Sequence, residues 1–106
     1  MPGTIYIAAD HDVEYLGAQA EVVGTYLNSG TCTYVLKTAA GTTVPGGTGS
    51  CTYSPASSGD YYGTIESTVT ALLSEDVQYY LEITFADSGY NDFRRIPLRA
   101  AYRTNP

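Results

Sequence analysis

The stretch Gly59-Asp-Tyr-Tyr-Gly-Thr-Ile-Glu66, with Leu73-Ser-Glu-Asp-Val-Gln-Tyr79 and Tyr80-Leu-Glu-Ile-Thr-Phe85 after it, decides how this chain folds. In an extended backbone, alternate side chains point to opposite faces. Tyr61, Gly63 and Ile65 then share one face of a strand, and Tyr79, Leu81, Ile83 and Phe85 share one face of another. An apolar row backed by a polar row is the pattern of a sheet with one side on a core and one side in water. Ser67 to Asp76, between the two strands, is long enough to pass from one sheet to a second. Thr68, Val69 and Thr70 are poor helix formers, so that crossover has room for one helical turn and no more.

Similar runs recur on either side. Thr4 to Ala8 reads as a first strand, followed by a polar break at Asp10-His-Asp and a short strand from Val13 to Leu16. Ala20, Val22 and Val23 fit either a strand or an extended linker. Thr31 to Lys37 alternates, with Cys32, Tyr34 and Leu36 on one side. Ala39-Ala-Gly-Thr is a tight turn in which Gly41 suits a left-handed position. Thr42 to Val44 and Ser50 to Tyr53 read as short strands flanking a Pro45-Gly-Gly-Thr-Gly loop. Val77 to Ala86 and Phe93 to Tyr102 form a hairpin around Asp87-Ser-Gly-Tyr-Asn. The expected core is Cys32, Tyr34, Leu36, Tyr61, Ile65, Tyr79, Leu81, Ile83, Phe85, Ile96 and Leu98. About seven strands with one crossover, in 106 residues, predict a single all-β domain over 1–106, an antiparallel Greek-key β-sandwich.

Composition narrows the function classes. Eleven acidic residues face five basic ones, and four of those five (Arg94, Arg95, Arg99, Arg103) come after every acid, so a net −10 precedes Arg94 and +4 follows. So acidic a chain is not expected to bind nucleic acid, which selects a broad basic face. No stretch is long and apolar enough for a membrane helix, and Met1-Pro-Gly-Thr-Ile-Tyr6 has neither basic residues nor an apolar run, which predicts a product of the cytoplasm. Cys32 and Cys51 are expected as buried thiols in that setting, with a bridge between neighbouring strands as the alternative.

Chemistry finds little purchase. His11, the single histidine, sits among Asp10, Asp12 and Glu14, a solvated polar turn rather than a converging ligand set. No zinc-protease, paired-cysteine, calcium-loop or nucleophile-elbow motif is present, and Gly46-Gly-Thr-Gly49 lacks the lysine of a phosphate loop. The expectation is a protein that is not an enzyme, with no catalytic residues, metal or cofactor.

Contact surfaces are the better candidates. In the last strand Ile96, Leu98, Ala100 and Tyr102 should face inward. Arg95, Arg99 and Arg103 should line the outer face at intervals of about 13 Å. Tyr80 is expected opposite Arg99, with Glu82 diagonal to Arg95 and Arg99, so the arginines serve either these local partners or an acidic neighbour, including another copy of the chain. Pro97, which donates no ladder bond, predicts an edge strand. Tyr62 and Tyr80 should point outward and Tyr90 should cap a hairpin tip, offering aromatic area for a protein or a glycan. The candidate partner-binding residues are thus Arg95, Arg99, Arg103, Tyr80, Tyr62 and Tyr90.

Leu73, six residues ahead of the strand-opening Tyr79, resembles the tyrosine corner of immunoglobulin-like and fibronectin-type sandwiches, whose buried phenol hydrogen-bonds backbone upstream. Tyr6-Ile-x-x-Asp10 with Val13-Glu-Tyr-Leu-Gly17, Gly24-Thr-Tyr-Leu-Asn-Ser-Gly-Thr-Cys-Thr-Tyr-Val-Leu-Lys-Thr-Ala-Ala-Gly-Thr42, Gly59-Asp-Tyr-Tyr-Gly-Thr-Ile65 and Pro97-Leu-Arg-Ala100 extend the likeness over nearly the whole chain. Together they resemble small immunoglobulin-like proteins encoded among the structural genes of tailed bacteriophages and prophages. The resemblance implies a virion component assembled in the host cytoplasm: a capsid decoration protein or a head–tail junction or tail subunit. Its partners would be capsid, portal or tail proteins and other copies of itself. The competing expectation is a cell-surface, glycan-binding adhesion module using Tyr62, Tyr80 and Tyr90.

Overall fold

Among the described residues, alternation of apolar and polar side chains produces seven strands: β1 (Gly3–Tyr6), β2 (His11–Tyr15), β3 (Thr31–Thr38), β4 (Thr43–Tyr53), β5 (Tyr61–Ile65), β6 (Gln78–Asp87) and β7 (Tyr90–Ala101), with one helical turn, α1 (Ser67–Thr70), between β5 and β6. The computed structural model describes residues 3–16, 18, 27, 29–55, 59–87 and 90–102, Tyr90 by its backbone alone. Ala20, Val22 and Val23, the segment read as strand or linker, lie outside the described residues, as does Arg103.

The strands form one sheet in the order β1-β7-β6-β3-β4-β5-β2. That sheet doubles back on itself through β4. Thr43 to Cys51 pairs with β3, whereas Thr52 and Tyr53 pair with β5, so one strand belongs to two layers. The chain passes between layers again from β2 to β3 and from β5 through α1 to β6. The all-β, seven-strand expectation holds, but the sheet is mixed rather than wholly antiparallel. β1 runs parallel to β7, with Gly3 opposite Leu98 and Tyr6 opposite Ala101. Parallel neighbours need a long connection, and these two strands are separated by almost the whole chain.

Three further expectations change. Pro45 to Gly49 is not a loop between two strands. It lies inside the 11-residue β4, where the ladder against β3 skips from Thr48 opposite Val35 to Thr43 opposite Lys37. Gly46, at φ +76°, supplies the backbone that such a bulge requires. Gly47 and Gly49 are small for a different reason: a Cβ on Gly49 would stand 2.4 Å from Tyr34 Oη, and one on Gly47 3.1 Å from Leu36 Cβ. His11 and Asp12 belong to β2 rather than to a polar break. The turn instead falls at Ile7 to Asp10, with Ala8 at φ +59°. Finally, β7 is not an edge strand, since β6 and β1 flank it; β1 covers only Leu98 to Ala101, however, so Pro97 lies where the outer flank is open and no ladder bond is asked of it there.

The core lies between the layers. Cys32, Tyr34, Leu36, Tyr61, Ile65, Tyr79, Leu81, Ile83, Phe85 and Leu98 are buried as expected, joined by Ile5, Val13, Tyr15, Val44, Cys51 and Leu73, while Ile96 is only partly buried. Phe85 of β6 stacks on Tyr15 of β2 at 4.9 Å and meets Tyr61 of β5 edge-on at 5.1 Å, so aromatic rings from opposite layers close one end. The phenols find polar partners. Tyr34 donates to the Thr64 carbonyl at 2.8 Å, and Tyr61 donates to the Leu27 carbonyl while accepting from Gly30 N–H. Tyr79 accepts from Ser74 N–H at 2.9 Å, five residues upstream. Thr70, fully buried in α1, uses its single hydroxyl to engage both the N–H and the carbonyl of Ala9, and Asp10 Oδ1 accepts from Ser67 N–H. The β5–β6 crossover is thereby strapped to the β1–β2 turn.

Candidate functional site

Two sheet faces look outward. The larger is built by β1, β7, β6, β3 and the longer segment of β4. Opposite the buried Tyr79, Leu81, Ile83 and Phe85, β6 presents Gln78, Tyr80, Glu82 and Thr84 to this face. The β6–β7 ladder sets Tyr80 against Pro97, Glu82 against Arg95, Thr84 against Phe93 and Gln78 against Arg99. The register differs by two positions from the expected one, in which Tyr80 faced Arg99, because pairing continues to Asp87 opposite Tyr90. A shift of two keeps every residue on its own face and changes only its neighbours.

Those neighbours define the surface. The Arg95 guanidinium lies 3.8 Å above the Tyr80 ring, and its Nε sits 3.6 Å from Glu82 Oε2. Lys37 Nζ approaches the other oxygen of Glu82 at 2.9 Å. Arg99 donates through Nη1 to the Asp76 carbonyl at 2.7 Å. The local partnership therefore exists, but Arg95 rather than Arg99 covers the tyrosine. Exposed pairs like these each contribute about 0–1 kcal/mol, and the side chain of Arg95 remains half exposed. Phe93, 57% exposed, and Tyr6 add apolar area on the same face.

The second face, of β2, β5 and the end of β4, has the opposite character. Val13 and Tyr15 point inward, so Asp12 and Glu14 point out. Glu14 lies opposite Tyr62 and Asp12 opposite Thr64, while Thr52 of β4 flanks Tyr62 on its other side. All the described basic side chains, Lys37, Arg94, Arg95 and Arg99, belong to β3 or β7; β2, β4 and β5 contain no lysine or arginine. Tyr62 and Tyr80 thus lie on opposite faces, and the structure does not bring the predicted tyrosines into one patch. Arg95, Arg99 and Tyr80 do share a face. For Tyr90 only the backbone, opposite Asp87, is described.

One cluster escaped the sequence reading. Tyr15, buried, donates to Asp92 Oδ2 at 2.6 Å, and Arg94 both pairs with that carboxylate at 3.3 Å and lies 4.4 Å over the Tyr15 ring. The Tyr15 hydrogen bond, with the Phe93 N–H and Arg94, holds the Asp92 carboxyl below its ordinary range. Asp92 falls opposite Phe85, so a carboxylate takes an inward-parity position near the start of β7 and meets the ring stack there. Only the inward parity of even-numbered β7 residues could have flagged it.

Other chemistry-bearing groups have structural surroundings. Cys32 and Cys51 are free, buried and directly opposite each other on β3 and β4. The neighbouring Cys51 thiol, together with burial, pushes the Cys32 thiol up. Burial also lowers His11, against the pull of Asp12. No grouping of three or more potential metal ligands and no cleft occurs among the described residues. Comparison with family models, with curated proteins and with solved structures gave no match.

Proposed function

We propose that this domain is a non-enzymatic virion structural protein of a tailed phage or prophage, acting through protein–protein contacts. The observation that carries the reading is that the prominent exposed chemistry lies on two outward sheet faces, one with Arg95, Arg99 and Phe93 and one with Asp12, Glu14 and Tyr62. Outward faces mixing aromatic area with arginine suit docking onto another protein. The finer fold assignment is an immunoglobulin-like Greek key. Its support is the strand order, the layer changes after β2 and β5, and the Tyr79–Ser74 bond in the position of a tyrosine corner. The glycan-module alternative is weakened by geometry, because Tyr62 and Tyr80 cannot grip one ligand from opposite faces.

The test is to purify particles produced by the genome that encodes the chain, strip loosely bound protein with salt, and quantify the chain by mass spectrometry. A fixed copy number per particle is expected. Replacing Arg95, Arg99 and Arg103 together should lower incorporation while leaving folding nearly intact, with a further loss as salt rises. Absence of the wild-type chain from particles would overturn the virion reading.

A further inference from the structure

We infer that the chain binds a second copy of itself head to tail, the basic five-stranded face of one molecule seating on the acidic β2–β5 face of the next. The virion reading supplies the setting for this inference; the two faces supply its content. Segregation of charge is the first ground. Arg95 and Arg99 sit on one outer face, Asp12 and Glu14 on the other, and no base on β2, β4 or β5 offsets those acids. An acidic chain repels copies of itself at long range, so approach in the one orientation that brings opposite faces together is selected against all others.

Unspent bonding capacity is the second. Arg95 meets Glu82 through Nε and Arg99 meets the Asp76 carbonyl through Nη1, which leaves other guanidinium N–H groups on each for a carboxylate. Stacking of Arg95 on Tyr80 also fixes its direction in advance, reducing the ordering cost of docking. Each face carries an exposed ring beside its charges, Phe93 at 57% and Tyr62 at 42%, so a contact that pairs the charges also removes apolar area from water. Because the two surfaces differ and lie on opposite sides of one molecule, a docked pair keeps one free face of each kind. Repetition builds a ring if the rotation closes and a filament if it does not.

Three variants of the full chain test this by sedimentation velocity across a concentration series, with thermal melts to confirm folding. Arg95→Glu with Arg99→Glu disables the basic face; Asp12→Lys with Glu14→Lys disables the acidic face; the third variant carries all four changes. Wild type should associate at low salt and dissociate as salt rises. Each double variant alone should associate about tenfold more weakly or worse. Mixed together they should associate again in alternation, since both faces of one variant are acidic and both faces of the other are basic; the quadruple variant, with charges exchanged, should recover association on its own. Salt dependence of the wild type stands as a separate reading should a variant fail to fold. A wild type that stays monomeric at low salt, or double variants that associate undiminished, would overturn the inference. A monomeric chain that is still found in particles would do so while leaving the virion reading intact; ring formation by a chain absent from particles would do the reverse.

Discussion

Replacing Tyr15 by Phe isolates one hydrogen bond at the end of the core. The ring stays, with its 4.9 Å stack on Phe85, and only the hydroxyl that donates to Asp92 at 2.6 Å is lost. Hydrogen bonds to charged groups are worth about 1.5–3 kcal/mol. The Asp92 side chain is 30% exposed, so water can partly replace the phenol, which places the expected loss at the lower end, about 1.5 kcal/mol. The pH dependence identifies the cause. Because Asp92 is depressed in the folded state, its stabilising contribution is complete above the unfolded value near 4 and disappears as pH falls through the lower folded value. Urea unfolding of wild type and Tyr15→Phe at about pH 7 should show the full difference; at an acid pH below the folded value of Asp92 only a neutral bond of about 1 kcal/mol or less remains to be lost. Asp92→Asn should remove most of this pH dependence, and the pair should be strongly non-additive at neutral pH. An equal loss at both pH values, or no loss at neutral pH, would refute the argument that a charged acceptor stabilises this end of the core.

Phe85→Ala, which empties the place of a fully buried ring touched by Tyr15 and Tyr61, should cost about 3–5 kcal/mol, and Leu81→Ala about 2–5 kcal/mol, both read from denaturant midpoints; losses under about 1 kcal/mol would contradict the core described above. Gly49→Ala should destabilise by about 1–3 kcal/mol because the new methyl runs into the Tyr34 ring, whereas Gly41→Ala, with open space but φ +90°, should cost only the backbone strain of about 1 kcal/mol. Titration of denatured protein prepared without reductant should find two thiols; adding a small disulfide oxidant to the native protein should then join Cys32 to Cys51 within one chain, detected as the loss of two hydrogens by mass. A count of zero at the outset would show the bridge already formed.

Strand alternation carried most of the architecture. The inward rows of β3, β5 and β6 are legible because every second residue is apolar, and a parity rule survives errors in the ends of strands. The Tyr79 bond was equally accessible, since it joins residues five apart in sequence. Pairing between distant strands was not. The parallel β1–β7 ladder leaves no local mark, and Pro45 to Gly49 carries turn residues whose smallness instead serves the rings and side chains of β3. The outer arginines could be assigned to a face but not to partners, because a register shift of two positions preserves parity while replacing each neighbour. Asp92 was passed over because a carboxylate at an inward position is recognised only once Tyr15 is known to approach it from the other layer.

The parallel pairing of β1 with β7 also decides how the domain bears tension. A pull that enters ahead of Gly3 and leaves after Ala101 drags the two adjacent strands past each other along their length. Every bond of the Gly3–Leu98 to Tyr6–Ala101 ladder is then loaded at once. In an antiparallel hairpin pulled at its open end, the bonds would instead break in succession. The short β1 strand acts as a shear clamp on the outer flank of β7, and rupture requires the whole four-residue ladder to yield together.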